Sequence, residues 1–75
     1  MLDPELTNSL RAPLTPRERD VLQLAANDLQ APAIAERLSV SRATVSTHFG
    51  RLDVKLEVRS RAGAVAKAMR LGLIR

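Results

Sequence analysis

The stretch that decides the fold is Ile34-Ala35-Glu36-Arg37-Leu38-Ser39-Val40-Ser41-Arg42-Ala43-Thr44-Val45. Its apolar spacing indicates two short helices that meet at a steep angle across the turn formed by residues 39–41. Ala35 is small, so the second helix can cross close to it. Val40 fills the turn, and Val45 returns to the same core. A plain helical hairpin is the alternative that this pattern alone leaves open.

Helices are also predicted on both sides of this pair. Ahead of it, Thr15 is a good N-cap, and Glu18 three residues later completes a capping box. Pro16 suits the first position of that helix, because its missing N–H costs nothing there. After the pair, Ser60 is the N-cap of a last helix, and Gly72 ends it.

The fold class that follows is all-α, with four helices and short connections. A linker is expected over residues 1–13 and a four-helix domain over residues 14–75. The helices are predicted at about 16–27, 31–38, 42–56 and 61–71. The third helix has an apolar stripe with helical spacing, which consists of Val45, Phe49, Leu52 and Leu56. The predicted inner face of the last helix consists of Val65, Ala68 and Met69.

Composition excludes several classes of protein. The chain has 75 residues and no cysteine, so neither a disulfide framework nor a thiolate zinc site can stabilise it. Phe49 is the only aromatic residue, which argues against stacking on single-stranded nucleic acid. No apolar run approaches a membrane span, and no secretion signal is visible, so no membrane contact and a cytoplasmic location are expected.

Nothing in the sequence indicates an enzyme, a metal site or a cofactor. His48 is the only histidine, and no residues of the right type lie near it to complete a metal site. No serine has a plausible His–Asp partner set, and no glycine-rich phosphate loop is present.

The charge distribution points to a polyanion as partner. The net charge is +4, but residues 1–40 hold six acidic and four basic residues, whereas residues 41–75 hold two acidic and eight basic ones. The face of the third helix that points away from its apolar stripe is small, polar or basic, and it consists of Arg42, Ala43, Ser46, Thr47, Gly50, Arg51 and Val54. Such a face fits the major groove of double-stranded DNA.

The polar and basic side chains of the third helix can make different contacts with DNA. Ser46 and Thr47 can bond to base edges or phosphates, and the Thr47 methyl group can contact a thymine methyl group. Arg42, Arg51 and Lys55 can reach phosphates, and either arginine can also reach guanine. The alternative is an ordinary solvated helix, which would usually carry more acidic residues among these.

Several motifs together resemble the LuxR/NarL-type helix-turn-helix domain. The resemblance covers Leu14 to Ile74. The residues that carry it are Leu14-Thr15-Pro16-Arg17-Glu18-Arg19-Asp20-Val21-Leu22, Ile34-Ala35-Glu36-Arg37-Leu38, Thr44-Val45-Ser46-Thr47-His48, Lys55-Leu56-Glu57-Val58-Arg59-Ser60-Arg61 and Gly72-Leu73-Ile74. The short segment Leu2-Asp3-Pro4-Glu5-Leu6 is similar to the one that follows the receiver domain in two-component response regulators of this family.

The resemblance implies a bacterial transcription regulator whose recognition helix, from about Thr44 to Leu56, enters the major groove. The implied DNA contacts comprise base contacts by Ser46, Thr47 and Gly50, and phosphate contacts by Thr44, Arg51 and Lys55. It also implies a homodimer through the last helix, whose outer face is expected to consist of Gly63, Ala66, Lys67 and Arg70. Glu18 matches the structural acid of the family, which caps the first helix and is expected to pair with an arginine.

Departures from the family pattern keep a second hypothesis open. Gly50 offers no side chain for base contact, and Asp53 and Glu57 repel phosphate. A helical protein-interaction domain that kept the fold but lost DNA binding is therefore the alternative, with another regulator or RNA polymerase as its partner. A sigma-factor promoter-binding domain shares the motif, but Lys55 to Ile74 fits it poorly.

Overall fold

The computed structural model describes residues 14–75, which form four α-helices and no strand. They are α1 (Pro16–Ala26), α2 (Ala31–Leu38), α3 (Arg42–Leu56) and α4 (Arg61–Arg70). The all-α prediction is confirmed, and the predicted helix bounds agree to within one residue. The linker predicted for residues 1–13 lies outside the described residues.

Side chains cap three of the four helices at their N-terminal ends. The Thr15 hydroxyl accepts from the backbone N–H of Glu18 at 3.1 Å, and the Glu18 carboxylate accepts from the backbone N–H of Thr15 at 2.8 Å. The Ser41 and Ser60 hydroxyls each accept a backbone N–H at 3.0 Å at the starts of α3 and α4. Gln30 makes no such bond at α2, where a proline in the first turn helps to set the backbone.

All four helices end in the same way. In each case a residue with a left-handed backbone follows the helix, and the next N–H bonds to the carbonyl five residues earlier, as in a Schellman motif. The left-handed residues and their φ angles are Asp28 (72°), Ser39 (58°), Glu57 (57°) and Gly72 (73°). Each is followed by an apolar residue that packs against the core, namely Leu29, Val40, Val58 and Leu73. These stops keep the connections short and direct each new helix back onto the core.

The helix α3 packs against the rest of the domain along most of its length. Within residues 14–75, α3 contacts every other helix, whereas α2 and α4 each contact α1 and α3 but not each other. The predicted stripe of α3 is buried as expected, and it is joined by buried residues from the rest of the domain, namely Leu14, Val21, Leu22, Ile34, Ala35, Ala64, Ala68 and Ile74. The core therefore holds α3 from three sides and leaves one face of it outside.

The predicted inner face of the last helix is wrong in part. Ala64 and Ala68 are the buried residues of α4, whereas Met69 is 52% exposed and Val65 is half-buried. The two alanines are small enough to let α4 approach α1 and α3 closely. The larger Val65 and Met69 instead border a groove between α4 and the end of α1.

No helix within residues 14–75 has the length and apolar content that a membrane span requires.

Candidate nucleic-acid interface

The two faces of α3 differ as the sequence predicts. Its buried face is at most 7% exposed at every position. The residues predicted to point outward are all exposed, and they are Arg42, Ala43, Ser46, Thr47, Gly50, Arg51 and Val54. The orientation of the helix is therefore confirmed, while the contacts assigned to these side chains stay predictions.

The hydroxyl groups on α3 are used in different ways. The Thr47 hydroxyl donates to the carbonyl of Ala43 at 3.0 Å, so it is turned back onto its own helix. The Thr44 hydroxyl lies 3.0 Å from that of Ser41 and belongs to the N-terminal cap. Ser46, two residues after Thr44, is exposed. Of the three residues with a predicted hydroxyl contact to DNA, Ser46 is therefore the one whose hydroxyl is not used within the domain.

The two arginines of α3 lie on opposite sides of the exposed face. Arg42 and Arg51 are separated by nine positions, which is two and a half turns at about 3.6 residues per turn. Both are exposed, and the side chain of neither forms a hydrogen bond or ion pair with another residue of 14–75. The outer face of α3 is thus bordered by a cation on each side.

Lys55 does not lie on this exposed face. Its ammonium group donates to a carboxylate oxygen of Glu18 at 2.6 Å, and its side chain is 19% exposed. The expectation that Glu18 pairs with an arginine is wrong. Glu18 is 1% exposed and bonds to a lysine, because the last turn of α3 packs against the start of α1. A phosphate contact by Lys55 would have to be made alongside this ion pair.

Glu18 is ionised in the folded domain. Burial of its carboxyl acts to raise its pKa, but the hydrogen bonds from Lys55 and from the backbone of Thr15 outweigh burial, so the pKa lies below its ordinary value of 4.5. The charged carboxylate joins the N-terminus of α1 to the last turn of α3. It therefore helps to set the position of α3 in the domain.

Sequence reasoning missed a second contact that positions α3. The guanidinium group of Arg61, the first residue of α4, lies 4.2 Å from the centre of the Phe49 ring. A cation at this distance over an aromatic face is attracted to it and also covers it from water. The two residues are twelve positions apart in different helices, so no local spacing predicts the pair.

His48 is half-buried, and its Nδ1 has no hydrogen-bond partner among residues 14–75. No group of His, Asp and Glu side chains in this part of the chain could hold a metal ion.

The residues predicted for a dimer contact divide into two pairs. Ala66 and Arg70 are exposed, whereas Gly63 and Lys67 are half-buried. A Cβ atom on Gly63 would lie 3.1 Å from the Ser60 hydroxyl and 3.5 Å from Val58 Cβ. The small size of Gly63 therefore serves packing within the chain, at the cap of α4.

Comparison with protein families gives one clear match. The profile of the bacterial regulatory proteins of the luxR family, named GerE, matches residues 12–68. The solved structure of the transcription factor GerE has a TM-score of 0.80 and 35% sequence identity, and the match covers 87% of this chain and 97% of that one.

Curated relatives agree with this match. A probable transcriptional regulatory protein, NarL of Mycobacterium tuberculosis, is 51% identical over 61 residues, which are 81% of this chain and 28% of that protein. A quorum sensing-dependent transcriptional regulator, VjbR of Brucella ovis, is 46% identical over 67 residues, which are 89% of this chain and 26% of that protein. The chain thus spans about a quarter of the length of these relatives.

Proposed function

Because this chain belongs to the luxR family of bacterial regulatory proteins and has the four-helix, helix-turn-helix fold of that family, we propose that it binds double-stranded DNA in a sequence-specific way. In this proposal α3 is the recognition helix and lies in the major groove. The domain acts as the output domain of a bacterial transcriptional regulator.

The observation that carries the proposal is the outer face of α3. An α-helix with side chains is about 10–12 Å across, and the major groove of B-DNA is about 12 Å wide, so only a helix with a slim leading face can enter it. The leading face of α3 meets this requirement, since Ala43, Ser46 and Gly50 are small and all three are exposed.

The charges on α3 support phosphate contacts on both sides of the groove. Arg42 and Arg51 border the outer face on opposite sides, so each can reach one of the two phosphate strands that line the groove. Ser46 and the backbone near Thr44 lie between them at the start of the helix. Phosphate contacts of this kind hold the helix in register, and base contacts then decide the sequence.

Two contacts inside the domain position α3 for this role. The Glu18–Lys55 ion pair holds its last turn against α1, and Arg61 lies over Phe49 near its middle. Because both contacts act on the inner side of α3, they leave the outer face clear. Glu18 and Arg61 are therefore positioning residues in this proposal, and neither is assigned a DNA contact.

Pairing of two domains through α4 is part of the proposal. Its support is the exposed, mainly apolar side of α4, where Ala62, Ala66 and Met69 border the groove against α1. A second copy would bury the Met69 side chain, with Arg70 at the rim. Sedimentation of the isolated domain at rising concentration tests this, and a Met69→Glu variant should pair less than the wild type. A monomer at every concentration, with and without DNA, would contradict pairing.

The proposal extends to the type of regulator, its location in the cell and its second partner. We propose that the chain serves a two-component response regulator in the cytoplasm, where the DNA lies. RNA polymerase is then a second partner of the DNA-bound regulator. The contact with DNA is the part of this proposal that residues 14–75 can be tested for directly.

Selection of bound duplexes from a random-sequence pool, followed by a salt titration of the enriched duplex, tests the proposed function. Binding should enrich a defined sequence, and the logarithm of the binding constant should fall linearly with the logarithm of the salt concentration, by about 0.9 per phosphate contact. No enrichment and no salt-dependent binding would contradict the proposal and favour the protein-interaction alternative.

A further inference from the structure

The middle line of the outer face of α3 carries methyl and methylene groups. Ala43, Thr47, Gly50 and Val54 follow one another at intervals of four, three and four residues, which places them in one line along a helix. All four are exposed, and Val54 is 62% exposed. We call this line the methyl stripe. It lies opposite the buried face, with Ser46 on one side of it and Arg51 on the other.

Thr47 belongs to the methyl stripe because of its own hydrogen bond. Its hydroxyl proton is given to the Ala43 carbonyl at 3.0 Å, a bond that threonine commonly makes within a helix. With the hydroxyl turned back onto the helix, the group left on the outer side is the Cγ2 methyl. Thr47 therefore presents an apolar group at the centre of the face that the proposed function puts in the groove.

Gly50 makes the stripe accessible. Apart from its two chain neighbours and the backbone of its own helix, nothing lies within 4 Å of the position that a Cβ on Gly50 would occupy, so packing inside the domain does not require a glycine there. Glycine in a helix interior lowers stability by about 1 kcal/mol relative to alanine. What Gly50 provides is a shallow recess on the outer face, one turn from the Thr47 methyl, into which a base substituent can fit.

Among the four unmodified bases, only thymine presents a methyl group in the major groove, at C5. A face lined with methyl groups can distinguish the thymine edge from the edges of the other bases by apolar contact. The side chains of Ala43, Thr47 and Gly50 have no free donor or acceptor pointing outward, so they cannot distinguish bases by hydrogen bonding. We propose that α3 selects its DNA chiefly through contacts of Thr47, with Ala43 and Gly50 beside it, to C5-methyl groups of pyrimidines. This inference rests on the proposed function and specifies what the recognition helix reads.

The C5-methyl group has two sources in duplex DNA, thymine and 5-methylcytosine, and the experiment separates them. The duplex enriched from the random pool is synthesised in four forms: with thymine, with uracil in place of thymine, and, at single thymines whose opposing adenine is replaced by guanine, with cytosine or with 5-methylcytosine. Uracil lacks only the methyl group, so each lost contact should weaken binding about fourfold, as expected for one buried methyl group. 5-Methylcytosine should bind more tightly than cytosine at the same positions.

Two variants of Thr47 provide the matched controls. Thr47→Ser keeps the hydroxyl and loses the methyl, so the ratio of thymine to uracil affinity should fall towards one at the contacted base. Thr47→Val keeps a methyl in place and loses the hydroxyl, so the ratio should stay near that of the wild type. Uracil placed only outside the bound site controls for changes in DNA shape.

The outcomes are distinguishable. Salt-dependent binding with equal affinity for the thymine and uracil duplexes would overturn the inference and leave the proposed function standing. A Thr47→Ser ratio equal to that of the wild type would overturn the role of Thr47. Absence of salt-dependent binding to either duplex would overturn the proposed function and this inference with it.

Discussion

The two faces of α3 share one helix and differ in what determines their residues. The buried face, Val45, Phe49, Leu52 and Leu56, packs into the core against the three other helices. The outer face contains Gly50, which lowers helix stability and meets no packing need. Selection for stability alone explains the first face and not the second. The residues of the outer face are therefore understood through an external partner.

The largest predicted effect lies on the buried face. Leu52 is fully buried, so Leu52→Ala should lower the free energy of unfolding by about 3 kcal/mol through lost apolar burial and the cavity left behind. Urea denaturation measures this. Val54→Ala is the matched control two residues along, because Val54 is largely exposed and its loss should change stability by less than about 0.5 kcal/mol. Equal losses for the two variants would mean that the faces are wrongly assigned.

The next effect tests the ion pair at the edge of the buried face. Glu18→Gln should lower the free energy of unfolding by about 2 kcal/mol at neutral pH, as expected for hydrogen bonds to a buried charged group. The pKa of Glu18 is lower in the folded domain than in the unfolded chain. Its stabilising contribution is therefore complete above pH 4.5 and is lost as the pH falls through the folded pKa.

Unfolding curves of the wild type and Glu18→Gln at several pH values measure this difference. The other carboxyl groups titrate in both proteins, so the gap between the two curves isolates Glu18. The gap should be widest at neutral pH and should close in acid. A gap that stays constant with pH would show that the charge of Glu18 contributes nothing.

A smaller effect is expected for Gly50→Ala, which should raise stability and weaken DNA binding. Gly50→Ala should raise the free energy of unfolding by about 1 kcal/mol, since alanine is the better helix former and open space surrounds the position. The same change fills the recess of the outer face, so it should weaken binding to the duplex selected by the wild type. Thermal unfolding and duplex titration of one preparation measure both. Higher stability with unchanged DNA selection would show that Gly50 lies outside the contact.

Much of the fold was predictable because its signals are local. Thr15, Ser41 and Ser60 are residue types that favour a helix start, and the apolar stripe of α3 has the helical period. The outer face of α3 followed from the same period. Its chemistry could be assigned because no other element of the described chain covers it.

The rest depended on contacts between distant residues. The Glu18–Lys55 pair spans 37 residues, and the Arg61–Phe49 contact joins two helices, so neither leaves a local pattern. The rotation of α4 was misjudged because alanine carries a weaker burial signal than methionine, although close helix packing favours it. The ends of α2 and α3 were predicted, but the left-handed backbone of Ser39 was not, since glycine is the usual residue in that conformation.

The central claim, that the outer face of α3 binds DNA, is tested most directly by the salt dependence of duplex binding for Arg51→Ala. The matched control is Arg19→Ala, an exposed arginine on α1. Loss of one phosphate contact should reduce the slope of log binding constant against log salt by about 1 for Arg51→Ala and leave it unchanged for Arg19→Ala. An unchanged slope for Arg51→Ala, or the same reduction in both variants, would contradict the account.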